Sequence, residues 1–202
     1  DIKSQFLENR TQQLYNIKGG FDWYINNNNT LTLFSLFQDE YHIDRGDVPY
    51  DFIANGQRKR MWTWAEDENT RFINYAANYK HKFSEPGHEI ELNYIYTKGG
   101  EDERFPFTDS SSTRNSVDET HLIVNEIISD AELGYVRPLR SGRIELGSKA
   151  LFRKIPITYT IKPGVNSILN PNLGQWSEYN ENIYSMYGNY VYESKQLDVE
   201  GG

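Results

Sequence analysis

Phe83 to Gly100 reads FSEPGHEIELNYIYTKGG, a turn signal followed by Ile90, Leu92, Tyr94 and Tyr96 at every second position. Glu89, Glu91, Asn93 and Thr97 stand between them, and only Ile95 breaks the alternation. A period of two makes a strand with one apolar and one wet face. Upstream, Ile73, Tyr75, Ala77 and Tyr79 alternate with Asn74, Ala76, Asn78 and Lys80. A hairpin through Pro86-Gly87 with an even loop puts both apolar sets on one side. The expected pairs are Phe83 with Ile90, Tyr79 with Tyr94, Ala77 with Tyr96 and Lys82 with Glu91.

The same grammar extends outward. Short turns are expected at Asn26–Asn29, Ser84–Gly87 and Pro138–Gly142, and long polar stretches at 43–67, 99–118 and 161–178. Strict alternation of the two classes describes an up-and-down meander with its short turns at one end and its long loops at the other. Around the Pro138–Gly142 turn, Ala131, Leu133 and Tyr135 align with Ile144, Leu146, Ser148, Ala150 and Phe152 if the loop is even. The Asn26–Asn29 hairpin does not resolve, because TLTLFSLF is apolar on both faces. VDETHLIVNEIISDAELG is the best helix candidate and reads equally well as a strand. The fold class expected is all-β: about eight antiparallel strands in one domain, residues 1–202.

Composition supports this. The 202 residues include 15 Tyr, 10 Phe and 4 Trp, a strand-forming set. Net charge is −8 without a basic block, which argues against nucleic acid as a partner. Cysteine is absent, which removes disulfides, thiolate metal sites and cysteine nucleophiles. No apolar run reaches the ~18 residues of a membrane helix, which leaves a strand-built membrane barrel open. Thr70 to Phe83 is fourteen residues long, against ~5–6 for ordinary strands and ~9–11 for a tilted bilayer-spanning one.

Several segments then resemble a family. GGFDWYINNNNTLTL (19–33), NYKHKFSEPGHEIELNYIYTKG (78–99), LGYVRPLRSGRIELGSKALFR (133–153) and ENIYSMYGNYVYESKQLDVEGG (181–202) are similar, in order, to hairpins of the outer-membrane β-barrel domain of TonB-dependent-receptor-like proteins of Bacteroidetes. The resemblance implies a segment of a larger transmembrane barrel of about 22 strands, with a plug domain and further strands absent from this chain. It implies nutrient uptake at the bacterial outer membrane. The partners it implies are outer-membrane lipid, a TonB-type energy transducer acting through the plug, and an unidentified transported ligand. The terminal aromatic residue that typically ends such a barrel is missing.

The alternative is a soluble β-sandwich module binding a ligand such as a glycan. The apolar face, represented by Ile73, Tyr75, Tyr79, Ile90, Leu92, Tyr94 and Tyr96, discriminates: a sandwich buries it under a second sheet, a barrel turns it to lipid. An isolated segment in water is expected to cover Ile73, Tyr75, Tyr79, Ile90, Leu92 and Tyr94 by curling, by a second layer or by self-association. Lys80, Lys82, Glu89 and Glu91 are expected to stay wet.

No catalytic set is legible, so no enzymatic activity, cofactor or metal is expected. His42, His81, His88 and His121 lack paired ligand spacing. TDSSSTRNS (108–116) reads as a polar loop, and GGEDER (99–104) as a solvated acidic one. Trp62 and Trp64 share one face beside Arg58, Lys59 and Arg60. They read either as a ligand platform or as an aromatic girdle or loop packing. Trp176 joins them as a ligand-contact candidate, and Trp23 and Tyr24 are candidates for a girdle at the opposite end.

Overall fold

A computed structural model describes residues 1–193 and 198–202. Its strands are β1 (Ile2–Ser4), β2 (Leu7–Asn26), β3 (Asn29–Phe52), β4 (Arg58–Lys82), β5 (Glu89–Ser111), β6 (Asn115–Leu139), β7 (Gly142–Lys162), β8 (Trp176–Glu193) and β9 (Asp198–Gly201). They form a single antiparallel sheet. β1 and β2 share one edge beside β3, and β3 to β9 follow in chain order. The nine strands therefore occupy eight rows, and the meander stands as expected. The candidate helix at 117–134 is strand throughout, as its Ile and Val cluster favours.

Two expectations are corrected. The hairpin at Pro86-Gly87 pairs Lys80 with Glu91, Lys82 with Glu89, Tyr79 with Leu92, Ala77 with Tyr94 and Tyr75 with Tyr96, two residues off the expected register. Gly87 has φ 78° and the His88 N–H donates to the Glu85 carbonyl (3.0 Å), so Pro86-Gly87 forms a turn of type II character. Unprimed turns splay strands rather than closing them. The ladder instead closes through the Phe83 N–H to the His88 carbonyl (2.9 Å), leaving Ser84–Gly87 as a four-residue loop. The slip is even, so every residue keeps its face.

The long polar stretches are the second correction. Residues 43–67 and 99–118 are mostly strand, closed by short turns at 53–57 and 112–114. Of the three stretches, the third alone keeps an extended connection, at 163–175. It holds a single 3-10 turn (Pro171–Leu173), whose Asn170 side chain accepts the Asn172 N–H.

The two unresolved hairpins now have an answer. Asn27-Asn28 is a two-residue turn, but Ile25 is unpaired, so the ladder shifts to put Phe21 opposite Leu33 and Trp23 opposite Leu31. At the other turn, Arg140-Ser141 is a two-residue loop that aligns Leu133 with Ser148 and Tyr135 with Leu146.

Beyond these turns each ladder keeps one offset along its length, so the faces can be followed across the sheet. One face carries Phe21 and Trp23, Leu31 and Leu33, Ile73 to Tyr79, Ile90 to Tyr96, Leu133 and Tyr135, Leu146, Phe152, Tyr184 and Met186. The other carries Asn78, Lys80, Glu91, Asn93, Asp130, Glu132, Lys149, Arg153 and Glu181. Among the described residues no second layer covers the apolar face. Tyr75, Tyr79, Leu92 and Tyr94 are exposed, while Ile73 and Ile90 are half-buried only by their neighbours. Within one chain nothing among the described residues lies across these six, so in water their cover falls to curling of the sheet or to a second copy. On the wet face, Lys82 is exposed and Lys80, Glu89 and Glu91 are partly so.

The register is testable because the chain has no cysteine of its own. Directly opposed Cα atoms lie within disulfide reach. Tyr79→Cys with Leu92→Cys is expected to oxidise to a cross-link, and Tyr79→Cys with Tyr94→Cys to remain mostly reduced, as read by mobility with and without reductant.

Candidate functional site

The apolar band is bounded along the strands. Along β4 and the residue that follows it, the band runs from Ile73 to Phe83, eleven residues, or about 33 Å of extended chain. At the tilt of a barrel strand this spans about 25 Å, the height of an outer-membrane apolar band. Towards the short turns the band ends in rings. Phe83 stacks on His88 (4.0 Å), His81 meets Phe83 edge-on (4.6 Å), and His88 Nε2 lies 3.0 Å from the Tyr135 hydroxyl. Trp23 stands exposed in the same belt, whereas Tyr24 points to the other face. Towards the far end the band gives way to charge: Arg71 to Asp39 (3.0 Å) and Lys154 to Glu178 (3.0 Å).

Opposite the band, the wet face is laced across strands. Lys80 bridges Glu89 (2.9 Å) and Glu91 (3.5 Å), Lys149 reaches Asp130 (2.8 Å) and Glu132, and Arg153 reaches Glu181 (3.2 Å). Long charged side chains on adjacent rows stabilise one another while their far sides stay hydrated.

Above the band, β3 to β6 continue as tall hairpins whose wet-face side carries an aromatic cluster. Trp64 is 6% exposed, stacked between Phe6 (5.7 Å) and Phe105 (5.3 Å). Trp62 packs beside Trp64, Phe105 and Phe107. Gly46 lies directly opposite Trp64, and a Cβ there would be driven into the indole ring. Trp62 and Trp64 thus stand on the face opposite the apolar band, about 30 Å of strand beyond Ile73. That placement replaces the girdle reading with local packing. Trp176 is on the other face and 63% exposed, so the three tryptophans do not converge. The seven residues of the expected apolar face do share one side.

Buried carboxylates tie the hairpin tips, which sequence reasoning missed because their partners are distant in the chain. Asp109 accepts from Arg60 (2.6 and 3.0 Å) and from Arg114. Burial pushes Asp109 up, but the two arginines outweigh it and hold the carboxyl below its ordinary range. Asp118 accepts the Gly164 N–H (2.9 Å), anchoring the 163–175 connection. Asp44 is fully buried against Arg10 (3.0 Å).

Between cluster and band lies an acidic patch where like charges face each other directly, Asp44 with Glu66 and Glu68 with Glu103. His42 sits between Glu40 (2.7 Å) and Glu68 (3.5 Å). Burial first, and then neighbouring carboxylates, raise Glu66, Glu101 and Glu103 above the ordinary glutamate value. Among the described residues, no group of three or more His, Asp or Glu is arranged to hold a metal ion.

A one-layer sheet of this height, apolar on one side and ion-laced on the other, is the wall of a membrane barrel. The family model described as the outer membrane protein beta-barrel family matches residues 81–202, more than half of the chain. The chain belongs to that family. Its place is the bacterial outer membrane. Curated proteins yield no match. The matched residues begin at His81, so in this barrel wall they take in the last two residues of β4 and all of β5 to β9.

Two expectations follow for the barrel's hairpin tips. Gly46→Ala is expected to displace Trp64 and raise amide exchange in the outer arms of β3 (43–52) and β4 (58–67), leaving the band protected. Truncating Trp64 to Ala is expected to cost the tip about 3–5 kcal/mol, read by the same exchange. The pH dependence has a definite sign. Glu66, Glu101 and Glu103 are raised in the folded state, so folding binds protons between the unfolded and folded pKa values, and stability falls as pH rises through that window. Asp109 and Asp118 are lowered and lose their contribution only below the ordinary aspartate range. Tip protection is therefore expected to peak in mild acid. Glu68→Gln is expected to recover part of the gain at neutral pH, up to about 1 kcal/mol for a relieved like-charge pair.

Proposed function

We propose that this chain forms part of the wall of a TonB-dependent receptor barrel that takes up a nutrient across the outer membrane. The apolar band faces lipid, the ion-laced face lines the lumen, the short turns lie in the periplasm and the tall hairpins stand outside. The observation that carries this reading is the single layer. Tyr75, Tyr79 and Tyr94 lie uncovered on one face while lysine–carboxylate ladders occupy the other. A sandwich module would have a second sheet over those tyrosines. Support for a lumen-filling plug comes from a row on the wet face, Phe34, Ala76, Ile95, Leu151 and Ile183, broken only by Asp130.

The test uses single cysteines in the protein as it sits in the outer membrane. Spin labels at Leu92→Cys and Tyr94→Cys are expected to be accessible to oxygen and shielded from a water-soluble nickel relaxant, with Asn93→Cys showing the reverse. Equal accessibility at 92, 93 and 94 would sink the barrel orientation. Uptake is tested in cells: loss of the proton-driven inner-membrane transducer is expected to abolish accumulation of the nutrient while surface binding persists.

A further inference from the structure

The apolar band has an upper rim on its outer side, and that rim is cationic. Lys98 lies opposite Ile73 on β4 and Ile127 on β6, and Lys154 lies opposite Ile127 on β7, so the two lysines flank one isoleucine about 10 Å apart. Arg71 is diagonal to Lys98, on the row above, about 7 Å away. Gly100, opposite Arg71, has no side chain. The sheet is recessed there into a shallow hollow of about 440 Å³, whose lining includes Arg71, Lys98, Asn69, Ile73 and the carboxylates Glu101 and Asp102.

Local acids are already engaged. Asp39 accepts from Arg71 (3.0 Å) and Asn69 (2.8 Å), and Asp102 from His121 (2.7 Å). Lys98 is exposed and has no hydrogen-bond or ion-pair partner among the described residues. Arg71 uses one terminal nitrogen on Asp39 and has further donors free. An unpaired ammonium and a half-used guanidinium therefore stand where apolar strand ends.

We infer that this rim binds the phosphate-bearing headgroup of an outer-leaflet lipid, with Lys98 and Arg71 on the phosphate and the acyl chains running down over Ile73, Phe37 and Tyr75. The inference rests on the lipid-facing orientation proposed above. Continuity decides the occupant. A soluble anion would use the recess alone, whereas a lipid also covers the apolar residues below it, and basic groups at a bilayer boundary attract anionic headgroups.

The experiment titrates the protein, purified from outer membranes in non-ionic detergent, with bis-phosphorylated lipid A and with its dephosphorylated form, following the thermal midpoint and native mass. The phosphorylated lipid is expected to bind and raise the midpoint, and the dephosphorylated one to do neither. Lys98→Gln is expected to weaken binding about fivefold, the effect of one cation at a membrane surface. Lys98→Arg is expected to restore it, and the exposed wet-face variant Lys82→Gln to leave it unchanged. Equal binding of both lipids, no effect of Lys98→Gln, or competition by inorganic phosphate at matched concentration would overturn the site. If labels at 92 and 94 face lipid while these titrations are flat, the headgroup site fails and the barrel orientation stands. If those labels face water, the orientation itself fails.

Discussion

Everything in this sheet depends on the ladders holding one offset. Side chains alternate faces with a period of two, so a slip of one residue would move a whole strand's apolar set to the wrong side, while a slip of two moves nothing across. From β2 to β8 each ladder has sixteen or more pairs at one offset, kept even across the unpaired steps at Ala65-Glu66 against Phe105-Pro106 and Asn125-Glu126 against Ile155-Pro156, and it shifts only next to turns. That regularity lets seven strands, each separately a mixture of aromatic, small and charged residues, present one apolar and one ionic surface. Ion pairs on the wet face depend on it: Lys149 meets Glu132 because they are direct ladder partners, and Arg153 meets Glu181 for the same reason.

The faces were legible in the sequence and the registers were less so. Alternation at Ile73–Tyr79 and Ile90–Tyr96 reports parity, which survives any even error. Register depends on turn chemistry, and Pro86-Gly87 dictates a turn that does not itself close the ladder. TLTLFSLF was opaque for two reasons. Its wet face carries Phe34 and Leu36, and its hairpin depends on an unpaired Ile25 that no alternation reveals. The polar stretches at 43–67 and 99–118 read as loops because loops and water-exposed strands share a composition. Above the bilayer height both faces of a strand are wet, so the apolar signal vanishes while the hydrogen-bonded ladder continues.

The tip chemistry was legible only in part. Trp62 and Trp64 stood out by spacing, but their face and burial depend on Gly46 across the ladder and on Phe6 at the edge. Asp109 with Arg60 and Asp118 with Gly164 join residues about fifty positions apart. The rim cations Arg71, Lys98 and Lys154 are unremarkable in sequence and become neighbours only once three ladders are aligned.

Among the described residues each strand pairs only with its neighbours in the chain, save that β1 reaches past β2 to β3. Such a wall is a one-dimensional stack, in which a finished hairpin is the template for the next and stability accrues by nearest-neighbour steps. Pairing can therefore begin at any hairpin and spread in both directions: β4 offers β5 one edge and β3 the other. A misaligned early hairpin would hand its error to every later row. The tight turns near Asn27, Ser84 and Arg140 each close one ladder, and the offset set there is the one the tall outer arms carry.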